Sequence, residues 1–163
     1  MAMMIDVTGK DDVYREATAT GRIRLREATV EAIRRGEVKK GDPLSISRVV
    51  AMEAVKGTPY ALPFCHNIPI TGIDVDVELE PDGVAVTVTV RAIAKTGVEM
   101  EALSGVAAAL LNVWDMVKSL EKDEGGNYPW TRITDIAVVN KVKRRKDGDG
   151  APALDQSRAR PLR

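Results

Sequence analysis

Residues 72–93, GIDVDVELEPDGVAVTVTVRAI, decide the fold. From Gly72 to Leu79, Ile73, Val75, Val77 and Leu79 fall on one face, and Asp74, Asp76 and Glu78 on the other. A period of two marks a strand with one buried face, because successive side chains point to opposite sides of the pleat. Pro81-Asp82-Gly83 is a turn. Val84 to Ile93 alternates again, with Val84, Val86, Val88 and Val90 inward. The stretch predicts an antiparallel hairpin with one face against a core.

The flanking sequence supplies what that face packs on. Gly97 to Lys122 is the longest helical candidate, with Ala102, Val106, Ala109, Leu110, Val113 and Val117 as its apolar stripe and Gly105 as an interruption. Before the hairpin, Arg26 to Arg35 reads as a short helix carrying Ala28, Ala32 and Ile33, with Gly36 as its C-cap. Asp42-Pro43 reads as the N-cap and first turn of a second helix over Leu44 to Lys56, with Ile46, Val49, Val50 and Ala54 at helical spacing and Gly57 at its end. Thr58 to Pro69 carries three prolines and reads as a loop or short strand. Val13 to Leu25 reads as an edge strand and Thr131 to Val142 as a final strand. The order strand, helix, helix, hairpin, helix, strand predicts an α+β fold: an antiparallel sheet with helices on one face. The domain is expected over residues 1–146, followed by a disordered tail over 147–163.

Composition narrows the function classes. With 163 residues and a hydrophobic fraction of 44%, the chain suits one domain with a real core. One Cys and one His exclude an internal disulfide and a Cys/His zinc site completed from one subunit. The apolar runs are short of a bilayer span, and MAMMIDVTGKDD lacks the layout of a signal peptide, so a cytoplasmic protein is expected, with no membrane partner. The formal charge of zero hides a split: residues 1–140 carry 16 basic and 21 acidic side chains, and residues 141–163 carry 8 and 3.

Four groups of residues invite a chemical reading, and each has a plainer alternative. Glu99 and Glu101 begin the long helix, where its dipole favours anions; they also suit an ordinary charged first turn. Asp115 and Lys118 are three apart on the same helix, either as a proton-transfer pair or as an exposed ion pair. Glu101 stands fourteen residues before Asp115, nearly four turns, which puts these acids on one broad stripe with Lys118. His66 follows Phe64-Cys65 in the proline-bound loop; it suits either a general acid/base or a satisfied, half-buried side chain, and Cys65 reads as a small buried residue. Arg15, Lys39, Lys40 and the run Lys141-Val142-Lys143-Arg144-Arg145-Lys146 suit either phosphate contacts or a solvated surface, and the run has no interleaved aromatics for base stacking.

Together these segments resemble one family. IDVTGK near the start, then YREATA, KKGD, LPFCHNIP, KTGVEMEAL, WDMVKSLEKD and a closing VVNK follow the order seen in molybdenum cofactor biosynthesis protein C, the cyclic pyranopterin monophosphate synthases; the resemblance covers about residues 4–143. It implies a ferredoxin-like subunit, hexamers built as a trimer of dimers with active sites at subunit interfaces, and a lyase reaction. The substrate implied is 3′,8-cyclo-7,8-dihydroguanosine 5′-triphosphate, a small-molecule nucleotide, converted to cyclic pyranopterin monophosphate and diphosphate. By motif, Asp115 and Lys118 match the catalytic Asp-x-x-Lys element, with Lys118 as general acid/base and Asp115 setting its protonation. That role requires burial or cationic neighbours to bring the Lys118 pKa towards neutrality. Phe64, Cys65 and His66 match a substrate-binding Leu-Cys-His stretch, with Phe in place of Leu. Met100 and Glu101 match a Met-Glu pair that contacts substrate, and Arg15, Lys40 and Lys141 match cationic positions suited to the triphosphate. The segment after Lys141 departs from the family's Gly-rich, Lys- and Ser-containing ending. No metal site is expected in the protein and no cofactor is firmly implied; Mg²⁺ is compatible with the triphosphate, held by phosphate oxygens and water.

Two other classes remain open from the residues alone. A nucleic-acid-binding module would rely on the basic run, and an assembly protein would bind no triphosphate.

Overall fold

The computed structural model describes residues 3–145, so the segment read as a tail lies outside the described residues. The elements are β1 (Val13–Arg24), α1 (Glu27–Arg34), α2 (Pro43–Ala61), β2 (Ile70–Glu80), β3 (Gly83–Ala94), α3 (Glu99–Glu121) and β4 (Arg132–Arg144). The four strands form one antiparallel sheet in the order β2-β3-β1-β4, the ferredoxin-like arrangement. The hairpin forms in the register that its alternation demands, with Val75 opposite Val88, Val77 opposite Val86 and Leu79 opposite Val84.

The core lies between the sheet's inner face and the helices. Val84, Val86, Val88 and Val90 of β3 are fully buried, as are Ala102, Val106, Ala109, Leu110, Val113 and Val117 of α3. Gly105 does not interrupt α3; it permits close packing. A Cβ there would stand 2.9 Å from Val55 Cγ2, 3.2 Å from Val88 Cγ1 and 3.3 Å from the Ala51 carbonyl, so the missing side chain is what lets α2 and β3 approach the helix. By length and composition α3 would suffice to cross a membrane, but its apolar stripe is spent on this core. Its far end is anchored by Glu121, fully buried, which accepts hydrogen bonds from the Arg26 backbone N–H at 3.1 Å and from the Thr131 hydroxyl. One carboxylate thereby joins the end of α3 to the starts of α1 and β4.

Three expectations need correction. β1 is not an edge strand: it pairs with β3 on one side and β4 on the other. Its outward Thr18 and Thr20 gave it an edge-like composition, yet they bond to the neighbouring strand, Thr18 Oγ1 lying 2.9 Å from Thr89 Oγ1. Next, α2 runs past Gly57 and through Pro59 to Ala61. Pro59 has no N–H to offer the Val55 carbonyl, but the Thr58 hydroxyl lies 3.1 Å from that oxygen and 3.0 Å from the Ala54 carbonyl, so its one proton is placed to serve this turn. Finally, the buried face of α2 is Ser47, Ala51, Val55 and Thr58, while Ile46 and Val49 are exposed. Small residues face α3 because the helices pack closely. The Asp42 cap is as expected, its carboxylate accepting from the N–H groups of Leu44 and Ser45.

The two edges of the sheet are irregular. In β4 the register slips twice, at Val139 and around Asp135, whose φ of 59° is left-handed. β2 slips once, between Ile70 and Gly72, and presents Asp74, Asp76 and Glu78 to solvent.

Replacing Gly105 tests the packing directly. Gly105→Val should cost about 2–3 kcal/mol through overpacking. In a domain of this size that is a fall in Tm of about 5–10 °C by thermal unfolding. An unchanged Tm would show that the close approach of α2 and α3 is not needed.

Candidate functional site

The start of α3 faces a cavity. Val98, the N-cap residue, offers no side-chain cap, so the acidic first turn takes over that role. Glu99 folds its carboxylate back beside Gly97, into the space that a Cβ there would take. The cavity measures about 650 Å³ and is walled by Phe64, Ile68 and Met100, with Cys65, His66, Glu99 and Glu101 adding polar groups. The family-matched Phe64, Cys65, His66, Met100 and Glu101 thus converge, although their two segments are far apart in sequence.

Burial sets the electrostatics here. Glu101 is 3% exposed and its Oε2 has no hydrogen-bond partner among the described residues. Desolvation pushes its pKa up, with the neighbouring Glu99 adding to the shift. Burial, and then the charge of Glu101, push the Cys65 thiol up as well, so Cys65 is a poor thiolate nucleophile. Glu99 is opposite in behaviour: although desolvation opposes it, hydrogen bonds from Lys141 and from its own backbone amide, with the nearby charges of Lys141 and Arg15, hold its pKa below the usual range. Lys141 Nζ lies 2.7 Å from Glu99 Oε1. Arg15 donates to the Lys95 carbonyl at 3.3 Å, while its Nε is buried without a partner among the described residues. Arg15 and Lys141 stand behind the first turn of α3 and do not line the cavity.

The second group lies at the other end of the helix. Lys118 Nζ is 2.7 Å from Asp115 Oδ1, and Lys40 Nζ is 2.6 Å from Asp115 Oδ2 and 3.1 Å from the Asp115 carbonyl. Hydrogen bonds from Lys118 and Lys40 lower the Asp115 pKa to about 2. The same contact raises Lys118. The requirement that Lys118 be brought towards neutrality is therefore not met by this chain alone: its side chain is 47% exposed, and its nearest charge stabilises the ammonium. Lys40 was expected, through its match to a cationic family position, only as a triphosphate contact. Its place on Asp115 comes from the α1–α2 turn meeting α3, which spacing does not reveal.

The two groups do not meet within one chain. Glu101 and Asp115 are separated along the helix axis by about 21 Å, at 1.5 Å per residue. They also differ in environment, one buried and the other exposed. The nearly four turns between Glu101 and Asp115 thus place them towards opposite ends of the helix. Among the described residues, no three His, Cys, Asp or Glu side chains are placed to hold a metal ion.

Glu99 is singled out in the sequence with Glu101 as an acid of the first helical turn, but only Glu101 is matched to a substrate contact. Sequence reasoning assigned nothing to Ile5, Val7 and Lys10, which line the cavity. Their one signal was the IDVTGK motif.

Comparison with known proteins matches this arrangement to one family. The MoaC family model covers residues 4–144. A protein of Methanosarcina acetivorans named "probable cyclic pyranopterin monophosphate synthase" is 56% identical over 142 residues, 87% of this chain and 90% of its own length. Proteins of the same name from Thermoplasma acidophilum and Pyrococcus abyssi are 56% and 52% identical over 140 residues, 86% of this chain and 98% and 88% of theirs. Every residue of the two groups at the ends of α3 falls inside the matched span, and the chain belongs to the MoaC family.

Proposed function

We propose that this chain is a cyclic pyranopterin monophosphate synthase of molybdenum cofactor biosynthesis. It is a cytoplasmic lyase that takes 3′,8-cyclo-7,8-dihydroguanosine 5′-triphosphate to cyclic pyranopterin monophosphate and diphosphate. The observation that carries the reading is the cavity at the start of α3, where an apolar wall suits a planar ring and Glu101 holds an unpartnered carboxylate oxygen. Phe64, Ile68 and Met100 pack the purine-derived ring. Glu101 and His66 bond to its polar edge. Lys40, Arg15 and Lys141 draw the phosphates, with Lys141 exchanging its Glu99 contact for a phosphate oxygen. Any Mg²⁺ arrives with the triphosphate.

Lys118 is protonated at neutral pH in the free chain, so it acts first as an acid, donating to an oxygen or nitrogen that gains charge as a bond breaks. Asp115 then stabilises and orients it. For Lys118 and the Glu101 cavity to serve one substrate, they must come from two subunits. This places the site between copies, which suits the hexamer, a trimer of dimers, that the family resemblance implies.

Three measurements test this. Diphosphate release from the cyclic dihydro-nucleotide should occur with the wild-type protein and fall by at least about 100-fold in Lys118→Ala, the contribution ordinary for a general acid. Silence of the wild type would refute the assigned activity. Mixing Lys118→Ala with Glu101→Gln, after dissociation and reassembly, should restore about a quarter of wild-type turnover, since random pairing leaves that share of interface sites intact. No recovery in verified mixed assemblies would place each site within one chain.

The third measurement is stability against pH. The folded-state pKa of Glu101 is raised, so its contribution is fully present below the unfolded value and is lost as pH rises through the folded one. Glu101→Gln, losing no such term, should have a higher Tm than wild type at pH 7. The gap should narrow as pH falls through the carboxylate range. A lower Tm at pH 7 would mean that the ionised carboxylate is satisfied in the fold.

A further inference from the structure

The lead-in segment before β1 crosses the cavity instead of leaving the domain. Met3, Ile5, Val7 and Lys10 all line it. Two side chains, one from the cavity lining and one from the end of β3, hold the segment by its backbone. His66 Nε2 lies 2.7 Å from the Ile5 carbonyl oxygen, and Lys95 Nζ donates to the Thr8 carbonyl at 2.7 Å. The segment also has its own bracing: the Thr8 N–H donates to Asp6 Oδ1 at 2.7 Å, and the Lys10 N–H to the Val7 carbonyl at 3.0 Å.

The partner of His66 matters because of what it is. A backbone carbonyl can only accept, so Nε2 must carry the proton. In a neutral imidazole that leaves Nδ1 without one. Among the described residues no hydrogen bond reaches Nδ1. The ring nitrogen able to accept a proton or a hydrogen bond is thus chosen by a residue sixty-one positions away in sequence.

We propose that residues 3–8 form a strap that closes the cavity and positions His66, with the Ile5 carbonyl fixing the imidazole as its Nε2–H tautomer and reserving Nδ1 as an acceptor for a ligand in the cavity. Val7, half-buried, and Ile5, itself largely exposed, form the strap's side of the cavity, and Lys95 clamps the strap's other end. Ile5 acts through His66 and is a positioning residue. The relevance to turnover rests on the synthase reading; the tautomer and the strap do not.

The single histidine makes the test clean. With histidine-selective ¹⁵N labelling, long-range ¹H–¹⁵N correlation at a pH where the ring is neutral should show a protonated Nε2 and a bare Nδ1. The Nε2 proton should exchange slowly with solvent. A chain lacking residues 1–7 should lose that protection at least about tenfold. A protonated Nδ1 in the full chain, or equal exchange in both, would overturn the proposal.

Hydrogen exchange gives the reciprocal measurement and does not depend on the truncated chain folding. His66→Ala should speed exchange of the hydrogen-bonded Thr8 and Lys10 amides by at least about tenfold. His66→Gln, whose amide N–H can replace Nε2–H, should restore slow exchange. Fast exchange in wild type, or no difference between Ala and Gln, would also refute the strap. If the nucleotide is turned over, the truncated chain should lose kcat by more than KM rises; a change confined to KM would refute the positioning role. If wild type turns over no nucleotide, the synthase reading fails while the nitrogen and exchange measurements still decide the strap.

Discussion

Everything in this molecule hangs on the seating of one helix. The small and branched residues of α3, from Ala102 to Val117, lie between the valine face of β3 and the narrow face of α2, with Gly105 at the tightest point. Close packing of this kind is stiff, because a shift of a few tenths of an ångström puts side chains off their minima. Glu121 then fixes the far end through Arg26 and Thr131. A helix held at both ends and along its length carries one set of polar groups at its first turn and another near its last.

The two sets follow opposite electrostatic rules. At the start, burial dominates: Glu101 and Cys65 are both pushed towards their neutral forms. At the far end, water and pairing dominate: Asp115 is held ionised and Lys118 protonated. Environments that drive titratable groups apart are common where proton transfer is required. One group supplies an apolar-walled pocket with a hydrogen-bonding edge, and the other a ready supply of charge.

What could be read from sequence was what repeats along the chain. The β2–β3 hairpin and the stripe of α3 are periodic, and both stand where their period put them. The face of α2 was misread because the residues that pack there, Ser47, Ala51 and Thr58, are small and partly polar, chosen for close approach more than for hydrophobicity. Pro59 misled because the adjacent Thr58 hydroxyl bonds locally to the carbonyls of that turn, which a rule about proline alone leaves out. In the site, Asp115–Lys118 was legible because it is local. Lys40 on Asp115 and the Ile5 carbonyl on His66 link residues 75 and 61 apart, and no spacing rule reaches that far. Family resemblance named most of the participants without saying who touches whom.

The irregular margins of the sheet carry a consequence of their own. A flat, regular outer strand is a template on which a second chain can be copied indefinitely. Here the β4 ladder is broken at Asp135 and again at Val139, and β2 is kinked near Gly72 and lined with carboxylates. A foreign strand could match either border for only a few residues before its hydrogen bonds fell out of step or it met like charges. Ile136 and Val139 are exposed on this border, where the broken ladder limits how far a second strand could pair along it.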